Sequence, residues 1–199
     1  YGFVIAADEC YSEIYHGADA PLGALEAARE LGRTDYTRLV VFSSLSKRSN
    51  AAGMRSGYVA GDAALLKQFL LYRTYHGSAM SFSVQRASIA AWGDEKHVRE
   101  NRRAYAEKYR AVLPLVKPPL ETWLPEGGFY LWLRTPIDEC EFTRRLHREY
   151  NVLVLPGSYL AREANGVNPG KHYVRVALVA PLAECVEAFS RIGRFVSTL

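Results

Sequence analysis

Leu39-Val40-Val41-Phe42-Ser43-Ser44-Leu45-Ser46-Lys47 passes from an apolar run into a hydroxyl-rich loop that ends on a lysine, and Arg55 follows eight residues later. A short apolar run bounded by a polar loop reads as a buried strand. Upstream, Phe3-Val4-Ile5-Ala6-Ala7 has the same character and is followed at once by Asp8, and a helical pattern over 22–31 separates the two runs. Strand, helix and strand in that order predict an α/β sheet, where ligands gather at the carboxyl ends of strands. Gly57-Tyr58-Val59-Ala60-Gly61 is a third strand, and Asp62 is placed to cap a helix whose Leu65, Leu66, Phe69 and Leu70 are expected to face inward.

From residue 83 the pattern turns helical, breaks near Gly93-Asp94, and resumes to about Val112 before Pro114, Pro118 and Pro119 interrupt it. This reads as a linker helix between two domains, 1–100 and 101–199. The remainder is expected to be a compact α+β unit, with strands at 128–133, 152–155 and 173–179, a helix at 139–150, and a last helix from Pro181.

With 49% hydrophobic residues in 199, the chain can bury a sizeable core. No apolar run approaches the roughly 18 residues of a membrane span and no leader pattern stands at the start, so a cytoplasmic protein with no membrane partner is expected. Cys10, Cys140 and Cys185 lie far apart and outside any CxxC, which suits reduced thiols and no metal site. The net charge is +4, and the most basic stretch, 99–110, interleaves Glu100 and Glu107 at helical spacing. That is a solvated helix face rather than a nucleic-acid surface. Because the chain opens on an apolar run without Met, it reads as a piece of a longer protein.

Taken alone, a lysine in a polar loop is usually solvated, an Asp after a strand usually caps a turn, and Tyr11 could be plain packing. Together, Asp8, Tyr11, Ser44, Ser46, Lys47 and Arg55 supply a carboxylate, a phenol, hydroxyls, an amine and a guanidinium near strand ends. That inventory suits a phosphorylated, pyridine-containing aldehyde. Near the end, Tyr173-Val174-Arg175-Val176-Ala177 puts Arg175 opposite the apolar side set.

Asp8-Glu9-Cys10-Tyr11, Ser44-Leu45-Ser46-Lys47 with Arg55, and Tyr173-Val174-Arg175-Val176-Ala177 resemble, in order and spacing, the fold-type I aminotransferases of class I and II, the aspartate aminotransferase family. The resemblance implies the C-terminal part of a large domain that binds pyridoxal 5'-phosphate, over 1–100, and a small C-terminal domain over 101–199. It implies that Lys47 holds the cofactor as a Schiff base and moves the substrate proton. Asp8 would face the pyridine nitrogen, Tyr11 the ring oxygen, and Ser44, Ser46 and Arg55 the phosphate, while Arg175 would clamp a substrate carboxylate. Amino acids and 2-oxo acids would be the substrates, and a homodimer the working form. The family's ring-stacking aromatic, phosphate loop and Asn have no counterpart among these motifs, so the isolated chain is expected to be inactive.

Within the family, His76-Gly77-Ser78-Ala79-Met80-Ser81, the segment 154–163 and Val176-Ala177-Leu178-Val179-Ala180-Pro181-Leu182 look like N-succinyldiaminopimelate aminotransferase of bacterial lysine biosynthesis. That resemblance implies transfer from glutamate to N-succinyl-2-amino-6-oxopimelate. Aspartate, alanine or aromatic aminotransferases share the same motifs, and a non-catalytic effector-binding module of this fold is the reading from another class. A dinucleotide-binding protein is excluded for want of a GxGxxG loop after a strand.

Overall fold

In the computed structural model, which describes residues 1–77 and 79–199, β1 (Ile5–Asp8) pairs parallel to β2 (Leu39–Ser44), and β2 pairs antiparallel to β3 (Gly57–Gly61). Parallel neighbours need a crossover, and α1 (Ala24–Glu30) lies within it. Leu39, Val41 and Ala28 form a small core beneath the sheet. The first apolar run is not buried as expected: Phe3, Val4 and Ile5 are 65%, 48% and 46% exposed. β1 is an edge strand in the order β1-β2-β3, and among the described residues no strand pairs with its outer side.

The register sets Asp8 beside Phe42 and Gly57 opposite Ser44. Asp8, the end of β2 and the start of β3 therefore share one edge of the sheet. A Cβ on Gly57 would come within 2.5 Å of the Ser43 carbonyl oxygen, so the two strands close here only around a glycine. The helix α2 (Leu45–Arg48) follows β2 with no intervening loop. The Ser44 hydroxyl accepts the Ser46 N–H at 3.3 Å as its N-cap, and fully buried Leu45 anchors it.

Asp62 caps α3 (Ala63–Tyr75), accepting N–H groups of Ala64 and Leu65 and, across the strand, of Arg38. These donors, Arg38 foremost, hold its carboxyl below the usual range. Of the inward face expected of this helix, Leu65 and Leu66 are half-buried, while Phe69 and Leu70 are exposed, Leu70 by 69%. Its apolar side chains are spread around the helix, so the sequence singles out no one face. Then come α4 (Phe82–Trp92) and α5 (Lys96–Val112), separated where Asp94 accepts the N–H groups of Lys96 and His97. The chain divides into two compact units, Tyr1–Arg102 and Arg103–Leu199, at a point inside α5.

The second unit carries β4 (Tyr130–Arg134), α6 (Glu139–Tyr150), β5 (Leu155–Pro156), β6 (Tyr173–Ala177) and α7 (Leu182–Val196). Its sheet is antiparallel in the order β4-β6-β5. Leu131 and Leu133 of β4 and Val174 and Val176 of β6 point to a core completed by Phe142 and Leu146 of α6 and by Cys185, Phe189, Ile192 and Phe195 of α7. The strand expected at 152–155 pairs with β6 only at Leu155 and Pro156, although Val152 and Val154 are buried. Phe142 and Phe195 meet edge to face at 5.1 Å, both with no exposed surface. Phe142→Ala should cost about 3–5 kcal/mol, read by urea denaturation, because truncation leaves a cavity in this core. A loss below about 1 kcal/mol would show that the site collapses freely.

Candidate active site

At the shared edge of the first sheet opens a cavity of about 780 Å³ lined by Asp8, Cys10, Tyr11, Ser44, Ser46, Lys47 and Arg55, among others. All six residues that the sequence assigns to this side of the site thus come together. Asp8 is the last residue of β1 and is exposed toward the cavity, and Lys47 and Ser46 are half-buried on α2. The Lys47 ammonium lies 5.6 Å from the centroid of the Tyr11 ring, close enough for attraction to the ring face. Arg55 closes a 3-10 turn (Ala52–Met54) in the left-handed conformation, φ +51°, and its guanidinium donates to the Ala52 carbonyl at 3.0 Å. A non-glycine residue there stores on the order of 1–3 kcal/mol of backbone strain.

Cys10, read from sequence only as a reduced thiol, is part of the wiring. Its thiol and its N–H, the latter at 3.1 Å, both donate to the Asp8 carboxylate and hold its carboxyl below the usual range. Burial pushes the Cys10 thiol up, so at neutral pH it stays protonated and remains a donor. The Ser44 hydroxyl donates to Cys10 Sγ at 3.3 Å. Sulfur is a weak acceptor, so that proton can turn to a stronger one, such as a phosphate oxygen. Tyr58, Phe69 and Arg73 also line the cavity, and no sequence motif had marked them.

Arg175 stands in the second unit, in the middle of β6, with its guanidinium 4.2 Å over the Tyr130 ring. Tyr130, Trp132 and Arg175 share the face opposite the core, the side foreseen for Arg175. Of the segment 76–81, which carries part of the resemblance to N-succinyldiaminopimelate aminotransferase, Ser78 lies outside the described residues. Among the described residues no group of His, Cys, Asp or Glu could hold a metal, and no helix is long and apolar enough to cross a membrane.

The family described as aminotransferase class I and II matches residues 1–192. The chain belongs to the class I and II aminotransferases. A crystal structure of an aminotransferase from Neisseria meningitidis superposes with a TM-score of 0.93 at 56% identity, covering 98% of this chain and 50% of that one. A probable N-succinyldiaminopimelate aminotransferase from Thermus thermophilus gives 0.82 at 30% identity, over 97% of this chain and 50% of its own. A probable aminotransferase of Mycobacterium tuberculosis is 32% identical over 96% of this chain and 44% of its own length. The LL-diaminopimelate aminotransferase of Maridesulfovibrio salexigens is 31% identical over 98% and 48%. The chain spans about half the length of the curated relatives it matches.

Class I and II aminotransferases depend on pyridoxal 5'-phosphate. The donor set of the cavity fits that group: an amine for its aldehyde, a carboxylate for its pyridine nitrogen, a phenol for its ring oxygen, and hydroxyls with a guanidinium for its phosphate. In this aminotransferase chain Cys10→Ala removes one donor to Asp8 and leaves the backbone N–H. The Asp8 carboxyl should then titrate at a higher pH than in the parent, followed by carboxyl carbon NMR. An unchanged titration would show that the thiol does not tune it.

Proposed function

We propose that the whole protein moves amino groups between amino acids and 2-oxo acids, with pyridoxal 5'-phosphate held between Asp8, Lys47 and Arg55. What supports the reading is the convergence of Lys47, Asp8, Tyr11, the serines and Arg55 on one sheet edge. When bound, the cofactor supplies an electron sink for negative charge at the substrate Cα. Lys47 moves the proton at that carbon, its amine and ammonium forms acting in turn as base and acid. Asp8 keeps a proton on the pyridine nitrogen, since a close carboxylate favours the charged ring. Tyr11 donates to the ring oxygen, and Ser44, Ser46 and the planar fork of Arg55 hold the phosphate. By its motif, Arg175 takes the substrate carboxylate.

For the substrate, similarity to a probable N-succinyldiaminopimelate aminotransferase and to LL-diaminopimelate aminotransferases supports a compound with the diaminopimelate skeleton. The favoured reading is succinyldiaminopimelate transamination in lysine biosynthesis, from glutamate to N-succinyl-2-amino-6-oxopimelate, by a cytoplasmic homodimer. Both substrates are acidic and the net charge of +4 suits them.

Borohydride reduction of the cofactor-loaded whole protein should fix the label on Lys47, and Lys47→Ala should abolish turnover. Peptide mapping that finds the label on Lys67 or Lys108 instead would end the assignment. With glutamate as donor, the N-succinylated acceptor should outpace oxaloacetate and pyruvate. Equal rates on all three would favour a broader aminotransferase, and faster turnover of LL-diaminopimelate with 2-oxoglutarate would favour the LL-diaminopimelate reading.

A further inference from the structure

The helix that carries Lys47 has only four residues, too few to hold itself in water. Its back is bound to the corner between α4 and α5. Arg48, next in the chain, is 4% exposed, and its guanidinium donates to the Ala91 carbonyl at 2.8 Å, pairs with Glu95, and lies 4.9 Å over the Trp92 ring. Ala91 is in the last turn of α4, where carbonyls run out of intrahelical donors and a cation complements the helix dipole. Ser49 Oγ and His97 Nε2 are hydrogen-bonded at 2.8 Å. Asn50 Nδ2 donates to Asn101 Oδ1 at 2.8 Å, and Asn101 Nδ2 donates to the carbonyl of Lys47 itself at 3.4 Å. Four consecutive residues, Lys47 to Asn50, are thus tied to one corner.

Burying a guanidinium costs solvation that an apolar side chain of the same size would not, so Arg48 is a poor choice for packing alone. What it offers is direction: a planar fork that reaches a carbonyl in the last turn of α4 and the carboxylate of Glu95, just before α5, fixes the orientation of α2 as well as its distance. We infer that Arg48, with Asn101, is a positioning residue that holds the backbone of Lys47 so that its amine meets the cofactor at one angle. The inference rests on the reading of Lys47 as the cofactor lysine. A lysine side chain has four rotatable bonds, and a shift of about 1 Å in its backbone is enough to cost on the order of a hundredfold in rate.

The test uses the whole protein loaded with pyridoxal 5'-phosphate and four variants, Arg48→Met, Arg48→Lys, Asn101→Ala and Lys47→Ala. Measured are thermal stability, the pH midpoint of the visible absorption that the cofactor shows on Lys47, and kcat and KM separately. Arg48→Met should move the midpoint by about half a pH unit or more and lower kcat at least about tenfold with KM little changed, and Arg48→Lys should recover part of both. A folded Arg48→Met protein with lowered stability but unchanged midpoint and kcat would make Arg48 a structural brace and overturn the inference. If neither Arg48 variant folds, Asn101→Ala decides in the same way: a moved midpoint supports positioning, and an unmoved one overturns it. Lys47→Ala protein that keeps both the visible band and turnover would overturn the assignment of Lys47, and this inference with it.

Discussion

Parallel pairing of β1 with β2 is the constraint on which the site depends. Two parallel strands point their carboxyl ends the same way, so Asp8 and Ser44, 36 positions apart in the chain, finish on one edge. Everything the cavity needs is then within a few residues of those two ends: Cys10 and Tyr11 after the first, Ser46 and Lys47 after the second. The antiparallel return of β3 brings Arg55 and Gly57 back to the same place. An antiparallel β1–β2 pair would have put the carboxylate and the amine at opposite ends of the sheet.

A second layer of wiring fixes side chains that the strands only deliver. The thiol of Cys10 connects a carboxylate to a hydroxyl from a different strand, and because burial keeps it protonated it serves as donor on one side and acceptor on the other. The two units differ in how their order is secured. The second has a continuous core of aromatic and aliphatic residues between its sheet and helices. In the first, Leu39, Val41 and Ala28 form a small core against the sheet, and Arg48 is tied to Ala91 and Glu95.

Much of this was legible in the sequence, for reasons that are local. Asp8, Lys47 and Arg55 stand in compact motifs whose members are neighbours in the chain, and the helix expected at 139–150 is α6. What was not legible depends on partners distant in sequence. Cys10 is tied to Ser44, 34 residues away, as well as to nearby Asp8, and Arg48 finds its partners at Ala91, Trp92 and Glu95. In α3, apolar residues all around the helix made the expected face broader than the one at Leu65 and Leu66 that the structure covers.

The glycines of the loop after Lys47 carry a lesson for remodelling the cavity wall. Gly53 has nothing within 4 Å of where a Cβ would stand, so that position can accept chemical diversity without disturbing its neighbours. Gly57, four residues on, does line the cavity, and any side chain there would be driven into the backbone of Ser43 and part the strands that present the lysine. A library meant to change what this cavity accepts should therefore hold Gly57 constant.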